Sequence, residues 1–349
     1  LLATFAGTIF RNGKFTTQNA EKRMAHLATR KQNYWSQFAI LAGATGIGFV
    51  LAAVISSIPM LVNSNLKELS GLSSKEIMKK LLVPEHANML RLVQFISTLC
   101  LFFLPAWAYA KFCHIKPFTH LGLTKKVNIG QAGIVIVIMI ACLPLVGALS
   151  DLTESIPFSK EMFAKFKAAE DDYNAQINII GKMDSFPEFL LSLFMLAILP
   201  ALFEEVMFRG AVQNLFSRWW KMPVLAIIVT SILFSAIHFS YLGFLSRAVL
   251  GFVLGWMYYR TGNLWLSIIA HAANNTVALT ALYIAKKNNP SAVVADADPH
   301  IPAWTGLVAA AAVYGLFLLF EKVSKYQINS PGGEELIEYE DLNRPDWSR

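Results

Sequence analysis

Eight apolar stretches run through this chain, and their length restricts the fold more than any other feature. They cover about residues 37–62, 89–112, 129–150, 187–208, 222–239, 241–259, 263–285 and 302–320. An α-helix rises about 1.5 Å per residue, so about 20 apolar residues match the ~30 Å hydrocarbon core of a bilayer. In lipid the backbone must satisfy its own hydrogen bonds, which leaves helices or closed barrels. Long apolar runs without alternation read as helices. The expected fold is therefore all-α, a polytopic membrane helical bundle with about eight transmembrane helices. Composition agrees. Of 349 residues, 55% are hydrophobic and only 15% are Asp, Glu, Lys or Arg, against about 25% charged in an average soluble domain. That shortage of charge excludes an ordinary water-soluble enzyme and a disordered chain.

The net charge of +7 would suit a nucleic-acid binder. The lysines and arginines, however, sit in short connections between apolar runs and form no single basic face. No nucleic-acid partner is expected, and the charges read as topology signals. With a cytoplasmic N-terminus and eight crossings, the inside segments carry 18 Lys and Arg and the outside loops 10, while Arg91 and Arg247 fall within helices. The expectation is a multi-pass protein of the cell (inner) membrane with both termini cytoplasmic. Cys100, Cys113 and Cys142 are few and mostly inside apolar runs, so no disulfide framework is indicated. Residues 1–10 are apolar but too few to span. The chain does not begin with Met, which points to a natural N-terminus further upstream, and no signal peptide with a cleavage site is legible.

The organisation that follows is a basic cytoplasmic arm over 1–36, whose residues 12–36 are expected to lie along the anionic leaflet. N-terminal transmembrane helices and an outside loop cover 37–185, a catalytic core 186–285, the last transmembrane helix 286–329, and an acidic, solvated tail 330–349. Within the outside loop over 151–184, Met162, Phe163, Phe166 and Tyr173 have roughly helical spacing and predict a surface-lying stretch. Only Ser240 is left between the fifth and sixth segments, which implies a very tight turn or a misplaced boundary.

Charges at membrane depth cost at least about 2.5–3.5 kcal/mol each and default to functional hypotheses. Here they cluster. Glu204, Glu205 and Arg209 fall in the fourth segment, Phe234-x-x-x-His238 in the fifth, and His271-x-x-x-Asn275 in the seventh. Glu205 and Arg209 are four apart and can pair as structural support, whereas Glu204 points about 100° away toward another neighbour. His271 and Asn275 share a face, and Phe234 lies one turn from His238 and would shield it. Pro200 lacks the N–H that would bond back one turn, so a kink is expected just before the glutamates. If the fourth helix ended at residue 208, Glu204 and His238 would lie near opposite faces of the bilayer. A long or kinked fourth helix over about 187–219 brings Glu204 close to its midpoint.

A carboxylate and an imidazole, Glu204 and His238, can hold one water and take its proton. His271 and Asn275 can donate hydrogen bonds to a developing oxyanion. Glu204, His238 and His271 could instead hold a zinc ion with an open water position. No serine or cysteine is placed as a nucleophile. The chemistry implied is hydrolysis by activated water, with no cofactor needed and zinc as the alternative. Cys113, His114 and His120 fit no common zinc spacing, and Arg247 is expected to be satisfied by a loop carbonyl or carboxylate.

These residues carry a resemblance. Glu204-Glu205-Val-Met-Phe-Arg209-Gly210, Phe234-x-x-x-His238 and His271-x-x-x-Asn275, in that order on apolar helices, resemble the three motifs of the CPBP family of CAAX-processing intramembrane proteases and bacteriocin-immunity-type membrane proteins. The stretch from Gly251 through Gly255 and Arg260 to Trp265 is similar to bacterial members. The resemblance covers about 186–285. It implies a bundle of about eight helices with a cavity open to the cytoplasm. There Glu204 and His238 would activate the water and His271 and Asn275 would stabilise the oxyanion, in a glutamate-dependent, metal-free reading. The expected partners are the lipid bilayer and a membrane-associated protein or peptide substrate. The alternative function is a non-proteolytic scaffold or assembly subunit of a larger membrane complex, for which the basic arm, outside loop and acidic tail leave room.

Overall fold

A computed structural model describes residues 32–63, 71–114, 116–289 and 302–328. The arm over 1–31 and the acidic tail lie outside the described residues. Those that are described form helices and connecting turns, with no strand among them. Apart from the single turn Pro117–His120, the described residues form ten helices: α1 Tyr34–Asn63, α2 Ser74–Leu81, α3 Pro84–Cys113, α4 Ile129–Glu154, α5 Lys160–Ile180, α6 Phe186–Trp220, α7 Pro223–Ala236, α8 Phe244–Thr261, α9 Leu264–Asn288 and α10 Ala303–Ile328. Six of them, α1, α3, α4, α6, α9 and α10, are long and apolar enough to cross a membrane. The chain is a multi-pass helical membrane bundle.

Helices occupy all eight expected positions, and α6 has the length that the depth argument demanded. Two boundaries differ. The fifth segment ends at Ala236 rather than near 239, and the sixth begins at Phe244. The turn between them passes through Phe239 at φ 52, a left-handed conformation that interrupts a helix. With 14 residues, α7 is about 21 Å long at 1.5 Å per residue, shorter than the ~30 Å hydrocarbon core. His238 therefore lies in a turn just past α7 and not within a helix.

Local chemistry sets the other ends. Asn128, Ser159, Ser185 and Asn263 each accept a backbone N–H at the start of α4, α5, α6 and α9. Gly262, at φ 59, ends α8 and allows an immediate turn into α9. α6 packs against α3, α7, α8 and α9, while α4 packs against α8, α9 and α10. Two apolar cores result. One joins Tyr109, Val206, Leu215, Phe234 and Leu264; the other joins Val135, Met139, Met257, Leu266 and Phe320. The charged pocket described below hangs from α6 beside the first of these.

Arg209 was counted among the cytoplasmic charges. It is wholly buried within α6, and without it 17 of the 18 inside charges still outnumber the 10 outside. The topology predicts that cysteines placed at Met222 and Lys165, both exposed, react with a membrane-impermeant maleimide from opposite sides, Met222 from the cytoplasm. Labelling of both from one side would refute it.

Candidate active site

The pocket begins with the winding of α6. Pro200 sits at the second position of Leu199–Glu205, and the stretch before it, Leu193–Ile198, widens to π-helical turns. A proline offers no N–H and crowds the carbonyl one turn back, and a wider turn relieves both. α3 repeats the arrangement, with π turns over Leu99–Phe103 ahead of Pro105. α6 then adds a second π stretch, Val206–Gln213, directly after the glutamates. Such turns are rare and gather at functional sites. Glu204 and Glu205 thus stand between two widened segments close to the middle of the helix.

Glu205 is fully buried. Its Oε1 accepts from Arg209 Nη1 at 2.5 Å and from His271 Nδ1 at 2.9 Å. Arg209, also fully buried, donates from Nη2 to the Gly251 carbonyl at 2.9 Å and lies 4.7 Å from the centre of the Phe234 ring. Glycine matters in α8. A Cβ on Gly251 would stand 3.2 Å from Ser231, and one on Gly255 would stand 2.6 Å from Gln213 Oε1. Without side chains there, α8 lies close against α7 and α6, and its carbonyls accept from Arg209 and from Gln213, the latter at 2.9 Å. The pair is thus held in an apolar bundle by mutual attraction, by His271 and by the Gly251 carbonyl, while Glu205 Oε2 and Arg209 Nε are buried with no hydrogen-bond partner.

The imidazole orientations follow from their partners. His238 Nδ1 lies 2.9 Å from the Phe234 carbonyl. A carbonyl only accepts, so Nδ1 carries the hydrogen and a neutral His238 presents a free lone pair on Nε2. His271 Nδ1 likewise donates to the Glu205 carboxylate, and its Nε2 stands 4.0 Å from Glu204 Oε2. That gap is too long for a direct hydrogen bond and short enough for one oxygen atom to bridge. Phe234 lies between the imidazoles, with its ring centre 5.2 Å from that of His238 and 5.7 Å from that of His271. Glu204, 8% exposed, and His271, 7% exposed, are almost closed off from solvent, whereas His238 and Asn275 are half-buried. Asn275 follows His271 by one turn of α9, and its Oδ1 accepts from Asn274 Nδ2 at 3.4 Å. The structure therefore draws Glu204, Glu205, Arg209, Phe234 and His271 together. His238 is placed one ring away, and its polar contact is with Phe234, not with Glu204.

The zinc alternative was tested on the donor set. Among the described residues no group of three or more His, Cys, Asp or Glu side chains stands close enough to hold a metal ion. Glu204, His238 and His271 do not form a closed ligand shell. Cys113, His114 and His120 belong to a different buried neighbourhood. The two imidazoles stack at 3.3 Å beside Tyr109. The Tyr109 hydroxyl and Gln37 Oε1 accept from Arg218, whose Nε donates to Asn214 at 2.7 Å. This network ties α1, α3 and α6 together. Arg247 meets the expected loop carbonyl, donating to Ser240 O at 2.6 Å.

Two features escaped the sequence reading. The Glu205–His271 contact joins different helices, and spacing within a helix does not encode it. A neighbouring glutamate directed about 100° from the first was nonetheless a signal that both needed partners. The second is the face of α5, whose helical spacing was legible. Met162 and Phe163 face outward, while Phe166, Glu170, Tyr173, Ile177 and Ile180 form its inward stripe.

Residues 186–277 match a protein family described as Type II CAAX prenyl endopeptidase Rce1-like. Three curated bacterial relatives are also similar. The Bacillus subtilis (strain 168) uncharacterized protein YyaK is 31% identical over 136 residues, which cover 35% of this chain and 45% of the relative. An uncharacterized 24.3 kDa protein of Escherichia coli is 35% identical over 99 residues, 27% of this chain and 46% of the relative. YpbD of the same Bacillus strain is 36% identical over 80 residues, 22% of this chain and 38% of the relative. The chain thus spans less than half the length of each. No solved structure matches.

Proposed function

We propose that this chain, which belongs to the Rce1-like family through residues 186–277, is an intramembrane endopeptidase that cleaves a membrane-associated protein with an activated water. The observation that carries this reading is the 4.0 Å gap between Glu204 Oε2 and His271 Nε2, two residues of the matched segment that are almost closed off from solvent. Glu204 takes a proton from the attacking water as its oxygen bonds to the scissile carbonyl carbon. His238, through the lone pair on Nε2, helps hold that water. The carbonyl oxygen becomes an oxyanion and accepts from the Asn275 amide and from His271 Nε2–H. His271 can offer that hydrogen only as an imidazolium, because its Nδ1–H already goes to Glu205. Glu204 then returns the proton to the leaving nitrogen as the C–N bond breaks. The reaction needs no metal.

The lipid bilayer is the medium, and the substrate is a protein or peptide already associated with it. The cell membrane, with both termini in the cytoplasm, is the proposed location. A Glu204→Gln variant expressed in native membranes should retain substrate that the unaltered chain releases, because Gln fits the same space but cannot take a proton. Affinity purification with mass spectrometry should find a protein enriched with the variant and its shortened form in cells with the active chain. Enrichment of the same full-length proteins with both chains, with no shortened form in either, would favour the scaffold or assembly subunit.

A further inference from the structure

We propose that Glu170 on α5 and Arg247 in the first turns of α8 are positioning residues for His238, which they hold by gripping Ser240 from two sides. The Ser240 hydroxyl donates to the Glu170 carboxylate. The Ser240 carbonyl accepts from Arg247 Nη2 at 2.6 Å. Ser240 is nearly fully buried, although its neighbours Phe239 and Tyr241 are exposed, so it is the residue of this turn nearest His238 that side chains of two other helices hold directly.

The turn needs such a hold. Between Ala236 and Phe244 the chain has left its helical ladder, and Phe239 sits at φ 52. A bulky residue in that region stores strain that persists only when surrounding contacts fix it. The contact within α7, His238 Nδ1 to the Phe234 carbonyl, aims the ring but leaves the backbone after it free to relax. The Ser240 grip removes that freedom two residues on.

α5 is built to deliver Glu170. Its C-terminal end is fixed by Arg91, which donates to the Ile180 carbonyl at 2.9 Å and the Lys182 carbonyl at 2.6 Å and reaches Ser192 at the start of α6. From that anchor the inward stripe passes Tyr173, whose ring centre lies 5.8 Å from the Arg247 guanidinium carbon. It then passes Glu170 and ends at Phe166, stacked on Tyr241 at 4.6 Å. Burial raises the Tyr173 phenol above its ordinary range, Arg247 opposes this, and Glu204 and Glu170 add to it. The outside helix thus brings Tyr173 and Glu170 within electrostatic reach of Arg247. This inference rests on the role proposed for His238, but its test does not.

The test is the rate at which diethyl pyrocarbonate modifies each histidine of the full chain in detergent, read by peptide mass spectrometry. Glu170→Ala removes the grip on the Ser240 hydroxyl. Modification of His238 should rise about fivefold, the size expected for one lost hydrogen bond, while His271, held by Glu205, stays unchanged. Glu170→Gln keeps an oxygen that accepts from Ser240 and should stay within about twofold of the unaltered chain. Phe166→Ala loosens α5 without touching either Ser240 bond and should also leave His238 unchanged. An unchanged His238 rate in Glu170→Ala overturns the proposal. So does a Phe166→Ala variant that exposes His238 equally, since α5 would then act only as a cover. If His238 responds as expected but proves dispensable for proteolysis, the grip stands and the protease reading falls.

Discussion

Glu204→Gln is expected to abolish proteolysis while the protein accumulates normally in the membrane. The carboxylate is nearly closed off from solvent and makes no direct hydrogen bond to His271, whose Nε2 is 4.0 Å away. The change therefore costs little packing and removes the base. His238→Ala should match it. Two groups that act on one water fail together, so the double variant should be little worse than either single. Asn275→Ala should be milder. Losing one oxyanion donor costs about 10²–10³-fold, and the half-buried amide supports no packing that its loss would break. Substrate turnover beside membrane abundance for all four variants decides the matter. Full activity of both Glu204→Gln and His238→Ala at normal abundance would mean that these residues do no chemistry and that the chain acts as a scaffold.

The sequence was informative where one physical rule dominated. Apolar length located eight of the ten longer helices, because lipid permits little else. The depth of Glu204, which makes no sense on a shorter helix, extended the fourth to about residue 219, close to the observed end at Trp220. The rule failed over residues 237–243. Ile237, Phe239, Tyr241 and Leu242 continue the apolar run, with no glycine before Gly243 and no proline to mark a break. The turn takes side-chain contacts from Arg247 in α8, seven residues on, and from Glu170 in α5, 70 residues back. Hydropathy could not register them, and so His238 was expected inside a helix. The motif residues were legible by type and order, but their partners were not. Helical spacing found the Glu205–Arg209 pair and could not find His271 as the third member, because a contact between helices depends on how α6 and α9 cross.

That third member changes what Glu205 should do. Glu205→Ala leaves Arg209 as an uncompensated charge in a closed interior, held by the Gly251 carbonyl. Breaking a buried pair on one side typically costs about 3–5 kcal/mol, a large part of an ordinary stability of about 5–15 kcal/mol. Most of the protein should disappear from the membrane, and what remains should melt earlier in detergent. Were Glu205 only a counter-ion, removing both charges would repair everything. Glu205→Leu with Arg209→Met fills the space with apolar side chains and leaves no orphan, a replacement that is often neutral or stabilising. Abundance should therefore return. Activity should not, because His271 Nδ1 has lost the carboxylate that fixes its ring. A loss of roughly 10–100-fold is expected, as for other groups that orient a working histidine. Abundance by immunoblot, melting in detergent and turnover on the same preparations separate the two roles. A double variant that is both abundant and fully active would show that Glu205 serves Arg209 alone and that His271 needs no partner at Nδ1.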